Sequence, residues 1–451
     1  MITYSIIQKS QLEGGLRLDA EYYQPEYLEV AKILQSTHHK NFDEVVSNII
    51  NGAEIRGYVE EDGLPYLRVS DIKEFFIDLS SVVYVTKESK IKQNIKLKED
   101  DILLSRSGSL AIAAVVTPDL SDSIISSHLM RIPVRGINPY FLVTFLNSKF
   151  GKAQIMQRNN GTIVPEINHP SLKSLSVPIL SEDTQKEIEK IVRNAYEKVQ
   201  ESNKIYSQAE DLLLEELGIK DFEIDDDLSY IVNLSEIKSA HRADAEYFQP
   251  KYEKIVSKLK KQNAKPIREL SQFVGHATQS PYDEIGDIAV LAQKHMKRNL
   301  AIDTSAFDNY TTENLIKKSD KKFILKNSDV LISSAGEPGL TCVWTEGSKV
   351  IPGSFVTIAR FAGEIEPFYA GVFLNTIAGR LQFERDYTGS VQQYVYPVKI
   401  KEIMIPILPK PTQQKIADLV QKSHEARSKA KQLLEEAKNK VANAIENEIN
   451  K

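Results

Sequence analysis

The sequence predicts an α+β chain of two pseudo-repeated globular domains joined by two long antiparallel helices, a coiled-coil spacer. Three observations predict it. The first is an internal duplication: RLDAEYYQPEY at Arg17–Tyr27 returns as RADAEYFQPKY at Arg242–Tyr252, identical at eight of eleven positions. The other two are long stretches free of interior helix breakers, one in the middle of the chain and one towards its far end.

The duplication continues in register. DILLSRSGS from Asp101 echoes DVLISSAGE from Asp329, and FLNSKFGKAQ from Phe145 matches FLNTIAGRLQ from Phe373. Gly161 and Thr162 match Gly389 and Ser390, and VPIL at Val177 matches IPIL at Ile405. Gln185 falls on Gln413, so these later matches share an offset of 228 positions.

Residues 1–180 read as the first globular domain, 181–218 as the central long helix, 219–408 as a linker with the second domain, and 409–451 as the C-terminal long helix. In each half a short helix follows Pro25 or Pro250, a residue suited to a first turn; Tyr27, Val30 and Leu34 give the first its apolar face. Strand-like runs follow at Tyr66–Ile72, Val82–Thr86, Ile102–Leu104 and Ile112–Val116, then at Ile288–Ala292, Val330–Ile332 and Phe355–Ala359. Tyr140–Arg158 and Phe368–Arg385 read as helical. The acidic run Asp221–Asp227 reads as a solvated linker.

Ser181, with Glu182 and Asp183 behind it, is a helix N-terminal signal, and Gly218 stands where a helix-ending glycine belongs. Between them Ile188, Val192, Ala195, Val199, Ser202, Tyr206, Ala209 and Leu213 step by fours and threes. That is a heptad seam, and it needs a partner. The offset of 228 carries it onto Ile416, Val420, Ser423, Arg427, Ala430, Leu434, Ala437 and Val441, with Arg427 the one break in the pattern. Small residues in both seams let two backbones approach, and the globular half between them favours antiparallel packing. Two helices each lying on its own domain is the competing arrangement.

Composition excludes several classes. With 451 residues, 41% hydrophobic and 26% charged, the chain is of ordinary globular make-up. Cys342 is alone, which removes disulfide frameworks and cysteine-rich zinc sites. The longest apolar run, Leu110–Val116, is too short to span a bilayer, and no signal-peptide core opens the sequence, so a cytoplasmic protein is expected. A net charge of −5 argues against a coat for indiscriminate polyanion binding. Basic clusters at Lys87–Lys98, Lys294–Arg298 and Lys317–Lys326 still permit a basic face.

Catalytic vocabulary is missing. No glycine-rich dinucleotide or phosphate loop occurs. Asn138-Pro139-Tyr140 resembles part of an amino-methyltransferase loop but lacks the second proline and a cofactor strand. Asp71-Ile72-Lys73 has no Pro-Asp partner at a sensible distance upstream and reads as a strand end. The eight histidines show no ligand spacing, so no metal is expected.

What remains is side-chain chemistry suited to base edges, set where turns would place it. In the first half this comprises Arg56, Arg68, Ser105, Arg106, Ser107, His128, Arg158, Asn159, Asn160 and Thr162. In the second it comprises Gln279, Lys294, Lys297, Arg298, Ser334, Arg385, Tyr387, Ser390, Gln392 and Gln393. Arginine and lysine read guanine, glutamine and asparagine read adenine, and small hydroxyls suit phosphate oxygens. RNNGT and RDYTGS fall at equivalent places in the repeat. That coincidence suits loops that face one ligand class as well as it suits Gly161 and Gly389 merely turning the chain.

The RxDAEYxQPxY start, the DxLLSRSG segment, the FLN…G…VPI run and the glutamine opening a long helix, each present twice, resemble the DNA specificity (S) subunit of type I restriction–modification systems. The resemblance covers essentially the whole chain. It implies two target-recognition domains that read a split double-stranded DNA site, with Ser181–Leu217 and Pro409–Ile449 as the helical spacer that sets half-site separation. It also implies docking of modification (methyltransferase) subunits, two by expectation, and of restriction (translocase/endonuclease) subunits. S-adenosylmethionine would then sit on the modification subunit, with no cofactor in this chain and no enzymatic activity of its own. The competing readings are a one-chain restriction endonuclease or methyltransferase with an unrecognised active site, and a coiled-coil assembly module that binds no nucleic acid.

Overall fold

The computed structural model describes residues 4–10, 12, 17–59, 63–79, 82–87, 95–161, 163–222, 229–345, 347–389 and 392–449. Contacts divide the chain into two compact units, Met1–Lys198 with Ser428–Lys451, and Val199–Arg427. Each unit therefore holds one globular domain and the adjoining halves of both long helices.

In the first unit the strands are β1 (His39–Asn41), β2 (Ile50–Asn51), β3 (Tyr58–Val59), β4 (Leu64–Leu67), β5 (Val83–Val85), β6 (Ile102–Ser105), β7 (Ala113–Val115), β8 (Ile124–Ile125), β9 (Leu129–Ile132) and β10 (Ser176–Pro178). They form sheets ordered β2-β9-β6-β7 and β3-β5-β4-β8, with β1 pairing β10. The helices are α1 (Pro25–Gln35), α2 (Phe42–Val45), α3 (Pro139–Asn147), α4 (Lys149–Gln157), α5 (His169–Lys173) and the first half of α6 (Glu182–Glu216).

The second unit repeats this plan. Its helices are α7 (Leu234–Ala240), α8 (Pro250–Lys260), α9 (Ile267–Leu270), α10 (Pro367–Asn375), α11 (Ile377–Arg385), α12 (Pro397–Ile400) and the first half of α13 (Lys410–Ile449). Its strands are β11 (Lys265–Pro266), β12 (Ser271–His276), β13 (Ile288–Leu291), β14 (Tyr310–Thr311), β15 (Val330–Ser333), β16 (Thr341–Val343), β17 (Val350–Pro352), β18 (Val356–Phe361) and β19 (Met404–Ile405). The sheets order β12-β18-β15-β16 and β14-β13-β17, and β11 pairs β19. The parallel pair β4–β8 of the first unit recurs as β13–β17.

The polar residues of the repeat are structural. Asn147 on α3 brackets Ala113 with two bonds, accepting from its N–H at 3.1 Å and donating to its carbonyl at 2.8 Å; Asn375 does the same to Thr341. Gln154 brackets Ser176 and Gln382 brackets Met404, each extending a sheet edge. Gln185 and Gln413 accept from the backbone N–H groups of Asn138 and Glu366 and donate back to Leu180 and Leu408. Such two-point amide contacts satisfy backbone groups that no ladder reaches. A Cβ at Gly151 or Gly379 would lie 2.2 Å from Phe145 O or 2.4 Å from Leu374 O, so the tight α3–α4 and α10–α11 corners require glycine. These corners split the two predicted helical segments at Ser148 and Thr376.

Two ionic devices are also duplicated. Within the sheet, Asp101 pairs with Arg131 at 2.5 Å and Asp329 with Arg360 at 2.7 Å, all four side chains largely buried. Both carboxylates also cap the preceding turn, accepting from Lys98 N and Lys326 N at 2.8 Å. At the surface, Arg17 grips Asp19 with two nitrogens, stacks over Tyr22 and donates to the carbonyl of Asn159 at 3.0 Å. Arg242 repeats this with Asp244, Tyr247 and the carbonyl of Tyr387. The hydrogen bond from Arg17 holds the Asp19 carboxyl below the ordinary carboxylate range, against the pull of burial. The clamp is therefore complete at neutral pH and is lost only as pH falls through that lowered value.

The long helices pack on each other, antiparallel, in both units. The Ser181 hydroxyl accepts from Thr184 N, and Gly218 closes α6 at φ +58° with Ile219 N donating to Leu214 O. In the first unit Ile188, Val192, Ala437, Val441 and Ile445 share one core, and Lys440 pairs with Glu187 at 2.5 Å. In the second, the Ser423 hydroxyl donates to the Ser202 carbonyl at 2.8 Å, an approach that only small side chains permit. Ala195, Tyr206, Leu213, Ile416, Val420 and Ala430 are buried as expected.

Three seam details differ from the sequence pattern. Val199 and Leu434 are only half-buried, and Leu433 is buried where the pattern expects Leu434. The seam steps from Ser423 by three to Ala426 and then by four to Ala430, which turns Arg427 to solvent. The strand-like run Tyr66–Ile72 also ends early, at Leu67. Beyond it a 3-10 turn, Val69–Asp71, is pinned by the buried Asp71 carboxylate accepting from Arg68 N. The acidic linker falls largely on 223–228, outside the described residues.

Arg131→Met and Arg360→Met each strand a buried carboxylate, so each is expected to lower the unfolding free energy in urea by about 3–5 kcal/mol. A loss under about 1 kcal/mol, the worth of a surface pair, would show the pair dispensable. Arg17→Gln should speed amide exchange at Asn160 and Glu166 by about tenfold or more, through loss of charge-assisted hydrogen bonds. Amides of Thr388 and Tyr394, held by the other clamp, should be unaffected; equal protection in variant and parent would rule the clamp out.

Candidate nucleic-acid interface

Each clamp holds the base of a hairpin. In the first unit Asn160 N donates to Glu166 O at 2.8 Å, and the Asn159 side chain accepts from Gly161 N and Glu166 N at 3.0 and 2.9 Å. A Cβ at Gly161 would lie 1.8 Å from Val164 O. In the second, Thr388 and Tyr394 exchange two backbone bonds of 2.9 Å, and Gly389 turns the chain at φ +91°. The glycines do turn the chain, and what they build is an exposed loop.

The turn between β6 and β7 lies against the first hairpin. Gly108 N donates to Pro165 O, and Ile167 N to Arg106 O. The Arg106 guanidinium pairs with Glu166, while Ser107 bridges the same residue through its backbone. Exposed His128 lends its carbonyl to Arg106 N. His169 Nε2 lies 2.8 Å from Asn51 Oδ1; burial, then Arg106 and Lys173, lowers its pKa and favours the neutral ring. The structure thus gathers Asn51, Arg106, Ser107, His128 and Asn160 at one end of the unit.

Several predicted residues are engaged within the fold. Ser105 is fully buried, its hydroxyl bonded to the Ile112 backbone, so it cannot meet a ligand as its residue type suggests. Arg158 caps α4 and ties it to Ser174, donating to Gln154 O, Gln157 Oε1 and Ser174 Oγ; burial lowers its pKa. Asn159 organises the hairpin from inside. Asn160 is exposed but holds Ser171 and accepts from Arg17. Arg56 is exposed and pairs with Glu54 at 2.8 Å, on a loop fastened to the β8–β9 turn. Arg68 lies half-buried against Asp71. Thr162 lies outside the described residues.

In the second unit Ser334 is fully buried against Thr357, which corrects its expected exposure. Arg385 lies over Tyr247 and beside Glu253, and the Tyr387 hydroxyl donates to Pro338 O, its pKa pushed up to about 12 by burial. Lys294 pairs with Asp308, Lys297 with Asp303 and Arg298 with Glu337. The Arg298 carbonyl accepts from Tyr206 of α6 and Asn375 of α10, which places this segment on the helix-facing side of the unit. Gln279 is exposed next to Gly353, and Gln392 and Gln393 are exposed on the hairpin. Ser390 lies outside the described residues.

Some surface features have no counterpart in the sequence pattern. Ile163 and Val164 are exposed on the first hairpin, and Phe355, Tyr394 and Tyr396 gather beside the second. The repeat points to both loops, but exposure of an apolar residue is invisible to periodicity. Among the described residues no cluster of three potential metal ligands occurs, and no helix is long and apolar enough to cross a membrane.

Comparison with known proteins gives similarities of three kinds, to a curated relative, to solved structures and to a family. The specificity subunit of the type I restriction enzyme EcoBI, from Escherichia coli, is 26% identical over 161 residues. That match spans 34% of this chain and 34% of the EcoBI subunit, about a third of the relative's length. The S subunit structure of the type I restriction–modification system from M. genitalium aligns over 90% of this chain and 94% of its own, at 12% identity and a TM-score of 0.39. The HsdS subunit from Thermoanaerobacter tengcongensis aligns over 91% and 96%, at 15% identity and a TM-score of 0.30. The family of the type I restriction modification DNA specificity domain matches residues 46–211 and again 279–439, most of the chain. The chain belongs to that family, and carries its domain twice.

Proposed function

We propose that this chain is the sequence-reading subunit of a type I restriction–modification complex. Each unit reads one half of a split double-stranded DNA target, and catalysis belongs to partner chains. One observation carries this reading: the two units share their clamps, amide brackets and buried ion pairs, yet differ on the exposed hairpins that the clamps hold. Glu166 beside Arg106 stands where Tyr394 stands between two rings. Identical supports under different surfaces are what two half-sites of different sequence require.

The exposed faces of α6 and α13 are the proposed docking surface for two methyltransferase subunits, with restriction subunits joining through them. S-adenosylmethionine belongs on the methyltransferase chains. A net charge of −5 leaves few uncompensated cations for phosphates, so this chain alone should bind DNA weakly and with a shallow salt dependence.

Methylome sequencing of cells carrying this chain with its methyltransferase partner should reveal one split target. Arg106→Ala or His128→Ala should change one half of that target, and Gln392→Ala or Gln393→Ala the other, at roughly 1–3 kcal/mol for each base-edge interaction removed. Variants that relax both halves equally, or cofactor-dependent methylation or cleavage by this chain alone, would sink the proposal.

A further inference from the structure

The hairpin slot occupied by Glu166 in the first unit is occupied by Tyr394 in the second. Glu166 bridges Ser107 and Tyr394 bridges Ala335, the same position of the repeat. In the first unit the slot closes an ion pair with Arg106. In the second, the Tyr394 ring stands edge-on to Phe355 and to Tyr396, with centroids 6.2 and 5.0 Å away. Edge-to-face packing locks such rings into one surface.

That surface faces outward. Phe355 is 56% exposed and Tyr396 54%. It is also rigid, because Tyr394 is tied to Thr388 by two bonds and Val395 N donates to Ser334 O at 2.9 Å. Clustered exposed rings on a fixed loop are costly to leave in water, and single scattered apolar residues are not comparable. Exposed Gln392 and Gln393 lie on the same hairpin.

Resting on the DNA-reading function above, we propose that this three-ring face packs against thymine methyl groups in the major groove of the second unit's half-site. The thymine methyl is the apolar feature of a base-pair edge, and glutamine is the side chain that reads the adenine opposite it. Glutamines on the hairpin and rings gathered beside it therefore suit the same A·T pairs. A broad interlocked face fits methyl groups lying side by side, whereas insertion between base pairs uses single protruding wedges.

The test uses the full chain assembled with its co-expressed methyltransferase subunits, on duplexes carrying the target found by methylome sequencing. Replacing thymine by deoxyuridine in the second unit's half-site should weaken binding of the parent complex about fourfold for each methyl that the face covers, the effect of one buried methyl group. Tyr396→Ser and Phe355→Ser complexes should bind thymine and deoxyuridine probes alike. Tyr394→Phe, which keeps the ring, should discriminate as the parent does. Deoxyuridine in the other half-site should affect parent and variants equally, which also reports that the variants are folded. If Phe355→Ser fails to fold, Tyr396→Ser and the parent measurement carry the test. A second half-site without A·T pairs, a parent indifferent to deoxyuridine, or variants that still discriminate would overturn the inference. So would a 2-aminopurine signal in that half-site that rises with the parent and is lost in Tyr396→Ser, since that reports insertion. A complex that binds no split target overturns the DNA-reading function as well, whereas a bound target indifferent to thymine methyls overturns this inference alone.

Discussion

The arginine clamp is the interaction on which the exposed loops depend. Arg17 and Arg242 each fix a carboxylate, a tyrosine ring and the carbonyl at a hairpin base. A guanidinium can do this because its donors are planar and fixed relative to each other, so one side chain sets several orientations together. With the base held, the loop beyond is completed by its own bonds and glycines, Asn159 and Gly161 in the first unit and Thr388, Gly389 and Tyr394 in the second. This explains why the most strongly repeated motif of the chain sits far in sequence from the loops it governs.

A second constraint acts on the cores. The buried pairs Asp101–Arg131 and Asp329–Arg360 lie at the starts of β6 and β15, whose residues are apolar except for Ser105 and Ser333. Each carboxylate also caps a tight turn, at Lys98 or Lys326, beside a residue of positive φ, Asp100 or Ser328. Ion pair and cap together specify where the sheet begins, which an apolar pair could not do. The long helices obey a different rule: small residues at the Ser202–Ser423 crossing bring the hydroxyl of one helix within hydrogen-bond range of the other's backbone, and larger residues fill the seam on either side.

Much of this is legible in the sequence. Duplication implies the architecture, heptad steps imply the helices, and Gly161 and Gly389 mark the loops. A fixed offset places the seam too strictly at Arg427 and Leu434, because it cannot register a three-residue step to Ala426. Residue type misleads most at Ser105 and Ser334, and it does not disclose the duty of Arg158 in the fold. These are polar side chains of the kind that meets DNA, yet a half-buried arginine capping a helix end or a serine closing a hairpin looks the same in sequence. The difference lies in whether backbone groups nearby need partners, and that is a property of the fold.

Polar residues in this chain therefore fall into two populations with opposite logic. Where a residue recurs across the repeat, as Asn147 with Asn375 or Gln154 with Gln382, it completes backbone hydrogen bonding and is bound to one geometry. Where the repeat changes residue class at a fixed position, as from Glu166 to Tyr394, the backbone bridge is kept and the side chain carries no structural duty common to both units. A position freed from structural duty yet held rigidly by its neighbours can be altered without endangering the fold. That combination lets one scaffold present two different surfaces.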